Sequence, residues 1–121
     1  MQLTLESHDG IVLQSWEPGL LKANGEAVTH HCIVSSQSIE RWQPADSAGL
    51  TVNDFAPLVA AAPEIILLGT GKLQRFPDIA LVTEIMQQGI AFEVMDTGAA
   101  CRTFNILVGE RRPVVAALLI D

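Results

Sequence analysis

Gly69-Thr70-Gly71-Lys72 is the stretch of this chain best suited to holding an anion. A glycine-rich turn after a buried strand can point several backbone N–H groups into one concavity, and Lys72 and Arg75 would add positive charge. Its place, past the carboxyl end of a strand and ahead of a helix, is where open α/β sheets take ligands. Asp96 or Glu93, near the end of the following strand, stands about where a dinucleotide fold keeps its ribose-binding carboxylate. The phosphate-binding patterns are nonetheless incomplete. Gln74 occupies the third glycine position of G-x-G-x-x-G, Leu73 follows Gly71-Lys72 where a phosphate loop needs Ser or Thr, and the next helix starts only at Pro77, too late to meet a phosphate at Gly69. Two readings stand. One is a small-anion or nucleotide cradle made by Gly69, Thr70, Gly71 and Lys72 and oriented by Asp96 or Arg102; the other is a turn that needs glycine only for its backbone angles.

Two other groups could do chemistry. Cys101 lies early in a helix beside Arg102, where the helix dipole and a cation favour thiolate. It also falls on the apolar stripe of that helix, as a core cysteine would, and the histidine base a cysteine nucleophile wants lies far back in the chain. His30, His31 and Cys32 alternate along a strand, so His30 and Cys32 share one face and at most two of the three can reach one ion. No second ligand pair exists in the sequence, and His8 reads as solvated in the first turn. No catalytic set, metal site or cofactor is expected; an enzyme, as the third reading, would work through Cys101. Arg102, Asn105, Glu110, Arg111 and Arg112 read as a solvated face with basic charge near a helix C-terminus, which the dipole favours. The alternative there is that Arg102 reaches back to Asp96 and orients the loop at Gly69.

The elements that position these groups follow from periodicity and punctuation. Residues 1–34 carry short β-type runs separated by Asp9-Gly10, Pro18-Gly19 and Asn24-Gly25, which predicts an antiparallel β meander. One short strand is expected before Pro44. A helix then carries Phe55, Leu58 and Val59, with Asp54 preferred over Thr51 as its N-cap because Pro57 would otherwise sit inside it. From Glu64 onward the chain reads as two consecutive βαβ units. The strand Ile65–Leu68 is apolar on both faces, as a covered central strand would be. A helix from Pro77-Asp78 to about Gln88 presents Ile79, Val82, Ile85 and Met86 as one stripe and stops at Gly89. The strand Ile90–Met95 follows. Asp96 or Thr97 caps a third helix with Ala100, Cys101, Phe104, Leu107 and Val108 on one face, and Pro113–Ile120 closes the sheet. The expectation is one α/β domain over residues 1–121: three layers, a mixed and largely parallel central sheet with helices, and an additional N-terminal β layer.

Composition narrows the partners. Hydrophobic residues make up 49% of the 121, enough for a core without disulfides or metals. A net charge of −7, from 14 acidic and 7 basic residues, opposes the phosphate neutralisation that nucleic acid requires. The longest apolar run, Pro113–Ile120, is far below the ~20 residues of a membrane span. The first nine residues lack signal-peptide and transit-peptide patterns, which leads to the expectation of a cytoplasmic protein with Cys32 and Cys101 reduced.

Leu68-Gly69-Thr70-Gly71, Phe76-Pro77, Met95-Asp96-Thr97-x-Ala99-Ala100-Cys101-Arg102-Thr103-x-Asn105 and Glu110-x-Arg112-x-Val114-x-Ala116-Ala117-Leu118-Leu119 carry a resemblance. Together they resemble a widespread family of small proteins of unknown function that includes a mitochondrial assembly factor for respiratory complex I, the NADH:ubiquinone oxidoreductase. The likeness extends more loosely to Trp42 and Asp54-Phe55-x-Pro57-Leu58. It implies a three-layer α/β domain with a mixed, largely parallel sheet, and supplies no catalytic residues; the assembly role belongs to the mitochondrial members. The function expected of this chain is that of a non-catalytic interaction or assembly protein acting near the Gly69 turn and the third helix, with a protein partner. A small anionic ligand at that turn is the alternative, and the oligomeric state is left open.

Overall fold

The computed structural model describes Leu3–Thr4 and residues 10–121. The elements run β1 (Leu3–Thr4), β2 (Leu13–Glu17), β3 (Leu20–Ala23), β4 (Glu26–Val28), β5 (Cys32–Val34), β6 (Ser38–Arg41), a 3-10 turn (Val52–Phe55), α1 (Ala56–Ala60), β7 (Ile65–Thr70), α2 (Ile79–Met86), β8 (Ala91–Met95), α3 (Thr97–Gly109) and β9 (Val114–Leu119). The central sheet has the order β1-β6-β5-β9-β7-β8, and β2-β3-β4 form a second, antiparallel sheet. Parallel pairing is confined to β9-β7 and β7-β8, the pairs built by the βαβ units. The β5-β9, β5-β6 and β1-β6 pairs are antiparallel. β9 is therefore the strand at which the two halves of the sheet join.

All six residues of β7 and of β9 are buried, because both faces of the sheet are covered. Strand alternation sends Ile65, Leu67, Val114, Ala116 and Leu118 to one face, where they pack with Ala100, Cys101, Phe104 and Leu107 of α3 and with Leu13, Leu21 and Val28 of the small sheet. Ile66, Leu68, Val115, Ala117 and Leu119 point to the other face, against Phe55, Leu58, Leu81 and Ile85. Three layers result. The small sheet is the additional N-terminal layer, an antiparallel meander with Asn24-Gly25 between β3 and β4, both residues at positive φ. Its boundary differs from the expected one: β5 leaves the meander and joins the central sheet against β9.

Side-chain hydrogen bonds fix the small sheet to the rest. The Asn105 amide of α3 accepts from the Leu13 N–H (3.0 Å) and donates to the Leu13 carbonyl (2.8 Å), pairing with β2 as a neighbouring strand would. The Ile120 carbonyl accepts from Trp16 Nε1 and from the Gly19 N–H, both at 2.8 Å.

Two helices depart from expectation. At the first, the Asp54 carboxylate accepts from the Thr51 N–H (2.7 Å), so the Thr51–Asp54 box does form; the 3-10 turn completes it before α1 begins, which leaves Pro57 in the first turn of α1, where no N–H is needed. At the second, Asp78 is the N-cap, accepting from the Ala80 N–H at 3.0 Å, but the buried residues of α2 are Leu81 and Ile85. Ile79 and Met86, expected in the buried stripe, are 75% and 52% exposed.

Candidate functional site

Gly69 and Thr70 are the last two residues of β7 and not part of a turn; the turn begins at Gly71. Gly69 is required by a close approach. A Cβ there would lie 3.0 Å from Leu118 Cδ2 and from Thr97 Oγ1, and 3.1 Å from Thr97 Cα. Gly71 has φ +86°, and a Cβ on it would meet the Asp121 carbonyl oxygen at 2.8 Å.

The residue that closes this region is Thr97, at the start of α3 and fully buried. Its N–H donates to the Gly71 carbonyl (2.9 Å), its hydroxyl donates to the Leu119 carbonyl (2.7 Å), and the same oxygen accepts the Gly71 N–H (2.7 Å). Both backbone groups of Gly71 are thus held by Thr97. The Thr70 hydroxyl donates to the Leu73 carbonyl (2.6 Å), accepts the Arg75 N–H (3.0 Å) and lies 3.3 Å from the Met95 carbonyl. Gln74 Nε2 donates to the Val94 carbonyl of β8 at 2.9 Å.

Residues 71–76 consequently have a backbone held at several points, and their apolar side chains still face water. Leu73 is 69% and Phe76 73% exposed, and Ile79, the first residue of α2, is 75% exposed. Phe76 and Pro77 form one wall of a cleft whose other wall is Ala48 and Leu50, with Thr70 and Leu119 also lining it. Lys72 and Arg75 are exposed between the apolar side chains.

Asp96 is the N-cap of α3 and accepts the Ala99 N–H at 2.8 Å. Arg102 is exposed one turn further on; its guanidinium and the Asp96 carboxylate pass the same side of Gly98, yet the two form no ion pair within 4.0 Å among the described residues. The fold thus gathers Gly69, Thr70, Gly71 and Asp96 at one end of the sheet. Thr97, not Arg102, ties the turn to α3.

Cys101 is buried, and its thiol is pushed up to about 12, first by burial; the Arg102 cation lowers it and Asp96 raises it. Burial outweighs the pull of Arg102 toward thiolate, so of the two readings Cys101 takes that of a core residue, held protonated at neutral pH. Cys32 is likewise pushed up to about 12 by burial, with Cys101 adding to the rise. His31 Nδ1 accepts the Ile120 N–H (2.9 Å) and its Nε2 lies 3.7 Å from Asp121, while His30 Nδ1 donates to the His31 carbonyl (2.9 Å). The His31 imidazole connects the residue before β5 to the segment after β9, while the His30 ring bonds only its neighbour's carbonyl; His8 lies outside the described residues. At the far end of α3, Arg112 pairs with Glu64, and Arg111 stands at φ +61° where the helix terminates.

Thr97 and the exposed set Leu73, Phe76 and Ile79 were not singled out from sequence as site residues. The signal available was the segment Lys72-Leu73-Gln74-Arg75-Phe76-Pro77, in which large apolar residues stand between cations and belong to no periodic element.

A three-layer α/β domain that presents a braced loop at the carboxyl ends of its parallel strands is the class defined by this geometry. The chain belongs to a family described as proteins of unknown function, DUF498/DUF598, whose pattern matches residues 13–119. A Danio rerio protein named NADH dehydrogenase (ubiquinone) 1 alpha subcomplex assembly factor 3 is 33% identical over 116 residues, covering 94% of this chain and 67% of the relative. The human protein of that name is 30% identical over 119 residues, and this chain spans 65% of its length. A solved structure from Bordetella parapertussis superposes with a TM-score of 0.83 at 32% identity, covering 95% of this chain and 99% of the other. Among the described residues no helix is long and apolar enough to cross a membrane.

Proposed function

We propose that this chain is a non-catalytic interaction protein of the assembly type, and that the surface it uses is the loop Lys72–Ile79. The observation that carries the reading is the exposure of Leu73, Phe76 and Ile79, 69% to 75%, on a backbone fixed by Thr70, Gln74 and Thr97. Grouped apolar side chains on a monomer's surface mark partner sites, and a braced loop loses little conformational entropy when a partner covers it. The relatives named as assembly factors support a role of this kind. Cytoplasmic residence is part of the same proposal, and fractionation of cells expressing the tagged chain checks it. The test of function is proximity labelling with wild-type and Phe76→Asp baits of equal folded stability. Proteins labelled by the wild type and lost with the variant support the reading; identical labelling by both refutes it.

A second reading is kept for small anions at Lys72, with Gly69, Thr70, Gly71, Asp96 and Arg102 around it. It is favoured by Lys72 and Arg75 having no acidic partner within 4.0 Å among the described residues. The Gly71 N–H is already donated to Thr97, so such a site would work through cationic side chains. An amide NMR titration with phosphate and nucleotides, repeated on Lys72→Ala, tests it; shifts that are absent, or unchanged in the variant, remove the site.

A further inference from the structure

We infer that the segment received by the Lys72–Ile79 loop is an acidic, apolar stretch of a partner protein, an inference that rests on the docking role proposed for that loop. The chain has 14 acidic and only 7 basic residues, yet two of the seven, Lys72 and Arg75, stand beside Leu73 and Phe76 with no acid in the run 72–76, and neither pairs with a carboxylate within 4.0 Å among the described residues, although Asp96 and Asp121 lie near its Gly71 end. The first acid after that run in the sequence, Asp78, is engaged at the N-terminus of α2, where its carboxylate accepts the Ala80 N–H. Cationic and apolar side chains therefore stand next to one another along one exposed segment of a chain whose net charge is −7, and the complement of that segment carries carboxylates between apolar side chains.

Charge also selects among occupants. In a two-fold contact centred on this loop, the same patch would face itself, setting Lys72 and Arg75 against their own mates. An extended anionic bilayer would meet the loop but would also be repelled by a chain of net charge −7. A short peptide segment lies within the field of the loop, since charges beyond about 8 Å are largely screened at physiological salt. The hydrogen-bonded backbone of residues 71–76 presents the apolar side chains to such a segment without prior folding.

The experiment is selection from a random peptide library on the immobilised full chain, followed by fluorescence anisotropy with the selected peptides and the exposed-site variants Phe76→Ala and Lys72→Glu/Arg75→Glu. The expected peptides combine Asp or Glu with Leu, Ile, Phe or Trp. Each variant should weaken them by about tenfold or more, and replacing the peptide's acids with Lys should restore binding to the charge-reversed loop. Peptides that depend on Phe76 but are neutral or basic, or that ignore the charge reversal, overturn the acidic partner and leave the docking loop standing. The absence of any Phe76-dependent peptide overturns both. Phe76-dependent binding to vesicles of phosphatidylglycerol and phosphatidylcholine that exceeds peptide binding overturns the inference in favour of a lipid surface, and a Phe76-dependent dimer in sedimentation overturns it in favour of a second copy.

Discussion

Replacing Thr97 with Val tests whether one hydroxyl holds the carboxyl end of the parallel strands to α3. The substitution keeps the shape of the side chain but removes a donor to the Leu119 carbonyl and an acceptor for the Gly71 N–H, each at 2.7 Å and each in a site from which water is excluded. A buried group left without its partner costs about 1–3 kcal/mol, so two such groups put the loss at about 3 kcal/mol. With a urea m-value of about 2 kcal/mol/M for a chain of this size, the unfolding midpoint should fall by about 1.5 M with m unchanged. Thr97→Ser retains the hydroxyl and deletes one methyl, a loss of about 1 kcal/mol. Hydrogen exchange gives a local readout, since the Gly71 amide should lose protection in the Val variant and keep it in the Ser variant. A midpoint shift under about 0.3 M for Val, or a Ser variant less stable than Val, would refute the assignment of the hydroxyl as the tie.

The remaining predictions concern backbone conformation and the buried thiols. Gly71→Ala, which puts a Cβ at φ +86° and 2.8 Å from a carbonyl oxygen, should destabilise the fold by about 2 kcal/mol in the same urea assay. Arg111→Gly should stabilise it by up to about 1 kcal/mol, because Arg111 stands at φ +61° in a helix-terminating motif in which the Arg112 N–H bonds the Leu107 carbonyl and the Arg111 N–H the Val108 carbonyl; an unchanged midpoint would contradict this. Cys32 and Cys101 are raised from 9.0 to about 12, so the folded state keeps protons that the unfolded chain loses. Their contribution is complete below pH 9 and is lost as pH rises toward 12, with a slope of about 1.4 kcal/mol per pH unit for each thiol; Cys101→Ala should remove one share of that slope. At neutral pH a thiol reagent should label Cys101 only as fast as the protein opens.

The αβ succession was legible because several signals agreed. Ile65–Leu68 is apolar on both faces, Asp78 and Asp96 mark helix starts, and the stripe of α3 has one dominant face. In α2 the same kind of argument is only partly right: Ile85 is buried and Val82 packs against the core, but Ile79 and Met86 are exposed and Leu81 takes their place. Apolar residues at 79, 81, 82, 85 and 86 make two overlapping helical stripes, and only tertiary packing decides that Leu81 and Ile85 turn inward. Thr97 was readable as a cap candidate but not as a bridge, since its partners Gly71 and Leu119 lie more than twenty residues away on either side. The conflict between the Thr51–Asp54 box and Pro57 dissolved through a 3-10 turn, an element that periodicity does not announce. The exposed loop residues were hidden for a related reason: composition cannot distinguish an apolar side chain that fills a core from one that is held out to solvent.

The place of β9 also constrains the order in which this chain becomes a protein during synthesis. β5 and β7 have no pairing with each other; each pairs with β9, which is made after both. Until Val114–Leu119 leave the ribosome, the β5-β6 hairpin and the β7-β8 pair are separate half-sheets, each with a hydrogen-bonding edge and apolar faces open to neighbours. Completion is then a single insertion that stitches both edges at once, so nascent chains arrested before residue 114 should be the species that chaperones bind and that aggregate when chaperones are scarce.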